Sequence, residues 1–175
     1  MPTAGHDPIV RFYNHESTDD RGRSLRQIWG WDHGRLEGVH DYIQWLFPLR
    51  EPSAVNFTAP LITDGTVAAF ASSGALRDNL KRSFELMLDF YGLALVDQEQ
   101  RLTVVPAASF AARSRTWLMP GNHNHLRLTR IITSVRTLGL PECAIALFDR
   151  LVVIDRENPG AISPTTFQYW QRAGR

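Results

Sequence analysis

Apolar residues recur at three- and four-residue spacing in long runs, and most of these runs stop on glycine or proline. Leu76, Leu80, Phe84, Met87, Leu88 and Tyr91 form one stripe, closed by Gly92. Leu128, Ile131, Ile132, Val135 and Leu138 form another, closed by Gly139 and Pro141. That period belongs to helices with one buried face. Aspartate and proline at Asp7-Pro8 predict a helix start, because the carboxylate accepts from free amides and proline tolerates the first helical position. Further helices are predicted over Leu25 to Trp29, Thr63 to Phe70 and Phe110 to Leu118. Others are predicted from Pro141 to about Asp155 and after Ser163-Pro164, although Val152-Val153-Ile154 also suits a strand. Residues Leu93 to Pro106 read as a loop or a small hairpin. The expectation is an all-α fold: a single compact domain over residues 1–175, with about seven or eight helices around a central one.

The central helix is expected from Arg35 to Phe47, with Leu36, Val39, Ile43, Leu46 and Phe47 on one face and Pro48 as its stop. Gly38 would let another segment approach closely, and Trp45 is expected in the core. Glu37, His40 and Gln44 would share a flank at spacings of three and four. Pro48 to Pro60, with three prolines, reads as an extended connector.

Bulk properties narrow the classes. A chain of 175 residues is long enough to close a core. Its net charge of +1 carries no basic excess, so no nucleic-acid partner is expected. Cys143 is the one cysteine, which excludes an internal disulfide and a cysteine-based zinc cluster and favours a cytoplasmic setting. Met1 to Val10 lacks an apolar core, so no signal peptide is expected. No run approaches the roughly 18–20 apolar residues that cross a bilayer.

Chemistry-bearing residues gather in two stretches. In the first, His40 beside Glu37, Asp41 and Gln44 fits either a general base or a buried polar network that fixes packing. Arg50 and Glu51 are neighbours in an extended segment and point opposite ways, so each is expected to have its own partner. Trp31, beside Gly30 and Asp32, is the tryptophan expected to form an exposed apolar wall. In the second, His123, Arg127 and Arg130 fall along one side of a helix that Asn122 or Asn124 would start. Two arginines near helix-start amides suit a phosphate, a carboxylate or a peptide terminus. They equally suit pairing with Glu37, Asp41 or Glu51. His40, His123 and His125 lack metal-site spacing, and no metal or cofactor is expected. No Gly-x-x-x-x-Gly-Lys loop and no Gly-x-Ser-x-Gly elbow occurs.

The stretch His40-Asp41-Tyr42-Ile43-Gln44-Trp45-Leu46-Phe47-Pro48-Leu49-Arg50-Glu51-Pro52 closely resembles the signature of the opioid growth factor receptor conserved domain. His123-Asn124-His125-Leu126-Arg127-Leu128-Thr129-Arg130-Ile131 resembles a second signature of that family, and Glu85 to Gly92 a third. The likeness runs from about Phe12 to Phe148. It implies a receptor-like module: animal members are described as receptors for the peptide Met-enkephalin, associated with the nucleus. The resemblance implies no catalytic residue. The leading expectation is therefore a binding module for a peptide or small anionic ligand, contacted by Trp31, Glu37, His40, Asp41, Gln44, Arg50, Glu51, His123, Asn124, Arg127 and Arg130. The alternatives are a hydrolase-type enzyme using His40 with Asp41 or Glu37, and a structural interaction protein, for instance a homodimer.

Overall fold

A computed structural model describes residues 7–175, so the Met1 to Val10 reading rests partly on residues outside that range. The chain forms two compact units, one of residues up to 83 with 137–139, the other of residues 84–136 with 140–175.

The first unit holds α1 (Pro8–Tyr13), α2 (Leu25–Trp29), α3 (His33–Gly38), α4 (Ile43–Leu46), α5 (Asp64–Ser72) and the first part of α6 (Gly74–Tyr91). Four of these starts have a visible cause. Asp7 accepts from the amides of Ile9 and Val10. Ser24 and Gln27, and again Thr63 and Thr66, exchange reciprocal capping bonds, and Asp32 accepts from Arg35. The core gathers Ile9, Phe12, Tyr13, Leu46 and Phe70, with Phe12–Tyr13 and Tyr13–Phe70 packed edge to face at 5.8 and 5.4 Å.

The central helix expected from Arg35 to Phe47 is absent. Its sequence splits into α3 and α4, and Val39 between them is extended (φ −98°, ψ 132°). Side-chain bonds to the backbone override the periodicity here. The Tyr42 hydroxyl donates to the Leu36 carbonyl at 3.0 Å, and the Asn56 amide donates to the Asp41 carbonyl at 3.3 Å. Both occupy carbonyls that a continuous helix would use internally. A Cβ on Gly38 would meet nothing within 4 Å, so this glycine admits no close neighbour.

The second unit holds the rest of α6, a hairpin of β1 (Leu93–Gln98) and β2 (Arg101–Pro106), then α7 (Phe110–Trp117), α8 (Asn124–Thr137), α9 (Pro141–Glu157) and α10 (Pro164–Gly174). The fold is therefore mainly helical with a two-stranded sheet, a correction to the all-α expectation: ten helices and two strands lie among the described residues. The strands pair antiparallel, with Leu93 opposite Pro106 and Gln98 opposite Arg101. Their two-residue turn holds Glu99 and Gln100, both left-handed (φ 52° and 67°), where glycine or asparagine is usual. Gly92, at φ +78°, ends α6 with the αL geometry its place in the sequence predicts. Val152 to Ile154 stay helical inside α9, whose buried face includes Leu147, Leu151 and Ile154.

Candidate functional site

In the first unit the stretch around residues 40–52 supplies structure more than open chemistry. Asp41 accepts from two guanidinium groups, Arg21 at 3.1 Å and Arg23 at 2.8 Å, and Arg23 also holds Asp19 at 2.6 Å. Burial alone would raise the Asp41 pKa. The hydrogen bonds and charges of Arg23 and Arg21 outweigh it, so Asp41 titrates below the ordinary carboxylate range. Trp31, expected as an exposed wall, is only 9% exposed. The guanidinium of Arg35 lies 4.5 Å and that of Arg23 5.5 Å from its ring centroid, and Tyr42 meets it edge-on at 5.2 Å. Trp45 is buried, as expected, and its indole N–H donates to Asp20 at 3.1 Å.

Gln44 is buried too. Its amide is satisfied when the NH₂ faces the carbonyls of His40 and Asp41, each 3.2 Å away. The oxygen then faces the Ser53 hydroxyl, 3.5 Å off. That orientation also suits Ser53, whose oxygen accepts from the amides of Val55 (3.1 Å) and Asn56 (3.2 Å) and whose single hydrogen needs an acceptor. Glu37 is half-buried; His40, Arg50 and Glu51 are exposed. Arg50 pairs with Asp64 at 2.9 Å, while among the described residues Glu51 has no ion pair. The expectation of one partner each holds for Arg50 alone.

Residues 53–60 were legible in sequence as a connector, and the structure makes them a pinned loop. Buried Asn56 donates to Asp20 at 3.4 Å as well as to the Asp41 carbonyl, and its oxygen accepts from the Thr58 amide at 3.2 Å. The Thr58 hydroxyl donates to Asp20 at 2.7 Å. With these polar groups turned inward, Val55 and Phe57 stand 70% and 81% exposed. Sequence reasoning missed Asp20, Arg23, Ser53 and Asn56 as the supports, and Val55 and Phe57 as the display. The available signal was the Ser53-x-x-Asn56-x-Thr58 spacing of turn-forming side chains around two apolar residues.

In the second unit the His123 stretch opens α8, and the Asn122 side chain accepts from the Asn124 amide at 2.9 Å. The expected row of His123, Arg127 and Arg130 divides by burial. His123 is exposed and Arg130 half-buried, but Arg127 is only 6% exposed. Asn124 and His125 are buried. The His125 Nε2 lies 2.9 Å from the Trp117 carbonyl, which only accepts, so Nε2 carries the proton. Trp170 donates its indole N–H to the His125 carbonyl at 3.1 Å, and its ring meets the imidazole edge-on at 5.7 Å. Burial depresses the His125 pKa; the Trp117 carbonyl opposes this and the nearby His123 adds to it. Among the described residues no group of three or more His, Cys, Asp or Glu side chains is placed to hold a metal, and no helix is long and apolar enough to cross a membrane.

Both units are rich in helix, and their motif residues are largely engaged in internal bonding. Residues 10–171 match the family described as the opioid growth factor receptor conserved region, and the chain belongs to that family. It is 40% identical to the opioid growth factor receptor of Homo sapiens, an alignment covering 98% of this chain and 26% of that protein. It is 46% identical to the opioid growth factor receptor of Mus musculus, over 66% of this chain and 18% of the relative. It is 35% identical to opioid growth factor receptor-like protein 1 of Xenopus tropicalis, over 74% of this chain and 25% of the relative. The chain thus spans about a quarter or less of these relatives' length. No solved structure matches it.

Proposed function

We propose that this chain is a non-catalytic binding module for a peptidic ligand, working in the cytoplasm, with Phe57 and Val55 as apolar anchors. The observation that carries this reading is the loop of residues 53–60. Its polar side chains are consumed beneath it, and two large apolar side chains are held in water. An exposed aromatic on an ordered support loses little entropy on binding, which favours affinity. The relatives' own name, receptor, supports the same reading. On this unit His40, Arg50 and Glu51 are exposed and are the sequence-proposed residues we keep as ligand contacts. Trp31, Asp41 and Gln44 become supports of the loop and its neighbourhood. On the second unit, His123 and Arg130 are kept as contacts for an anionic group, while Asn124 and Arg127 act from within the fold.

The hydrolase reading has less support. A carboxylate that orients His40 as a base must accept from its imidazole, and both Asp41 oxygens are already engaged by the guanidinium groups of Arg21 and Arg23. The test is calorimetric titration of the chain and its Phe57→Asp variant with Met-enkephalin, with a panel of apolar peptides and with inorganic phosphate. Peptide binding that the variant loses, at an unchanged unfolding midpoint, supports the proposal. Binding that survives Phe57→Asp, or a chain that takes up phosphate and no peptide, overturns it.

A further inference from the structure

The two edges of the β1–β2 hairpin are finished differently. Pairing alternates along an antiparallel ladder, and the bond from the Ala107 amide to the Gly92 carbonyl at 2.9 Å fixes its phase. With Leu93 opposite Pro106 and Val96 opposite Thr103, the backbone groups of Ala94, Val96 and Gln98 point into the ladder. Those of Leu95 and Asp97 point away from β2. On β2 the outward positions are Leu102, Val104 and Pro106. There Arg150 of α9 donates its Nε–H to the Val104 carbonyl at 2.7 Å, and Pro106 has no N–H to offer. β2 therefore carries two devices that block further pairing.

β1 carries neither. Among the described residues nothing pairs with the outward N–H or C=O of Leu95 or Asp97, and β1 contains no proline. Leu95 and Val96 are half-buried, whereas Asp97 is exposed. At the turn end of this edge Asp97 and Glu99 are both exposed and make no ion pair among the described residues. The basic side chain at that end, Arg101, is already engaged with Asp149 at 3.4 Å. The open edge thus combines an apolar segment with a surplus of negative charge at its tip.

We infer that β1 is a docking edge for an extended peptide segment of a partner protein, which adds to the sheet as a third strand. Its backbone exchanges hydrogen bonds with Leu95 and Asp97, as in strand addition generally. An apolar side chain of the segment lies beside Leu95, and a lysine or arginine beside Asp97 and Glu99. This surface belongs to the second unit and is independent of the loop at residues 53–60.

The experiment uses the full chain, isotope-labelled for amide exchange, and an acetylated, amidated hexapeptide of sequence Thr-Lys-Thr-Val-Thr-Lys, which in either strand direction sets its valine beside Leu95 and a lysine beside Asp97. Saturating peptide is expected to slow exchange of the Leu95 and Asp97 amides at least about tenfold, and to leave Val96, already in the ladder, little changed. Replacing both lysines by glutamate is expected to weaken binding about tenfold or more. Asp97→Pro removes an outward donor and the charge without touching a ladder bond, and abolishes the protection. Asp97→Lys, which keeps the backbone donor, transfers the preference to the glutamate peptide. Phe57→Asp changes none of these results. The inference is overturned if Leu95 and Asp97 stay unprotected. It is equally overturned if both peptides bind Asp97→Lys and the natural chain alike, or if protection arises from the chain's own concentration without peptide.

Discussion

Replacing Gly92 with alanine tests whether the second unit packs as described. Gly92 ends α6 at φ +78°, and a Cβ built on it would lie 2.7 Å from the Phe110 Cα and 2.9 Å from the Arg113 Cβ. Two costs add. A non-glycine residue in the left-handed region loses about 1–2 kcal/mol. Forcing a methyl against backbone and a Cβ loses about 1–3 kcal/mol, because the nearest atom is main chain and does not swing away. The stiffer unfolded chain returns about 0.4–1 kcal/mol. The expected loss is about 2–4 kcal/mol, read as a lower urea midpoint at unchanged slope. Gly160→Ala is the control: its φ is +85° but a Cβ there meets nothing within 4 Å. It should show the backbone cost alone, about 1 kcal/mol. Equal losses in the two variants would refute the close approach of α7 to Gly92.

Two predictions concern pH. Asp41 has its pKa lowered in the fold, so its pairing stabilises the protein above the unfolded carboxylate value of about 4 and that contribution is lost as pH falls through the folded value. Asp41→Asn should cost about 1–3 kcal/mol near pH 7 and flatten the acid limb of a stability–pH curve; an unchanged acid limb counts against the Arg21–Asp41–Arg23 cluster. His125 is held neutral, with a lowered pKa, so its contribution is complete above the unfolded value of about 6.5 and declines as pH drops from there. His125→Gln keeps a donor for the Trp117 carbonyl and should remove that decline, measured as the unfolding midpoint between pH 7 and 5.

Where local chemistry decides structure, the sequence is readable. The Asp7-Pro8 start, the Ser163-Pro164 start, the Gly92 stop and the stripes of α6 and α8 each combine a cap with a periodic face, and each became a helix where expected. The split between α3 and α4 was not readable, because Asn56 reaches the Asp41 carbonyl from outside the segment and the Tyr42 hydroxyl folds back on Leu36 within it, and no local pattern announces either bond. The hairpin was half readable. Its alternation was weak, and its turn uses Glu99-Gln100 in place of the glycine-bearing pair that marks such turns. For the site, the network read among Glu37, His40, Asp41 and Gln44 does not form as one flank: His40 is exposed, Asp41 bonds to Arg21 and Arg23, and Gln44 turns to backbone carbonyls. The bonds that do form reach 18–20 residues from Asp41 and 36–38 from Asp20, which spacing within one stretch does not reveal. Burial then separated Arg127 from Arg130, although both sit on the same helix.

The account turns on a loop that is exposed yet held. Backbone order parameters for residues 53–60, measured by nitrogen relaxation on the free chain and on Asn56→Ala, test this directly. The account predicts rigid values of about 0.85 in the natural chain, falling below about 0.6 in the variant while α1 and α5 stay rigid. Values below about 0.6 in the natural chain would contradict it, since Phe57 would then be a residue on a loose connector rather than a presented anchor.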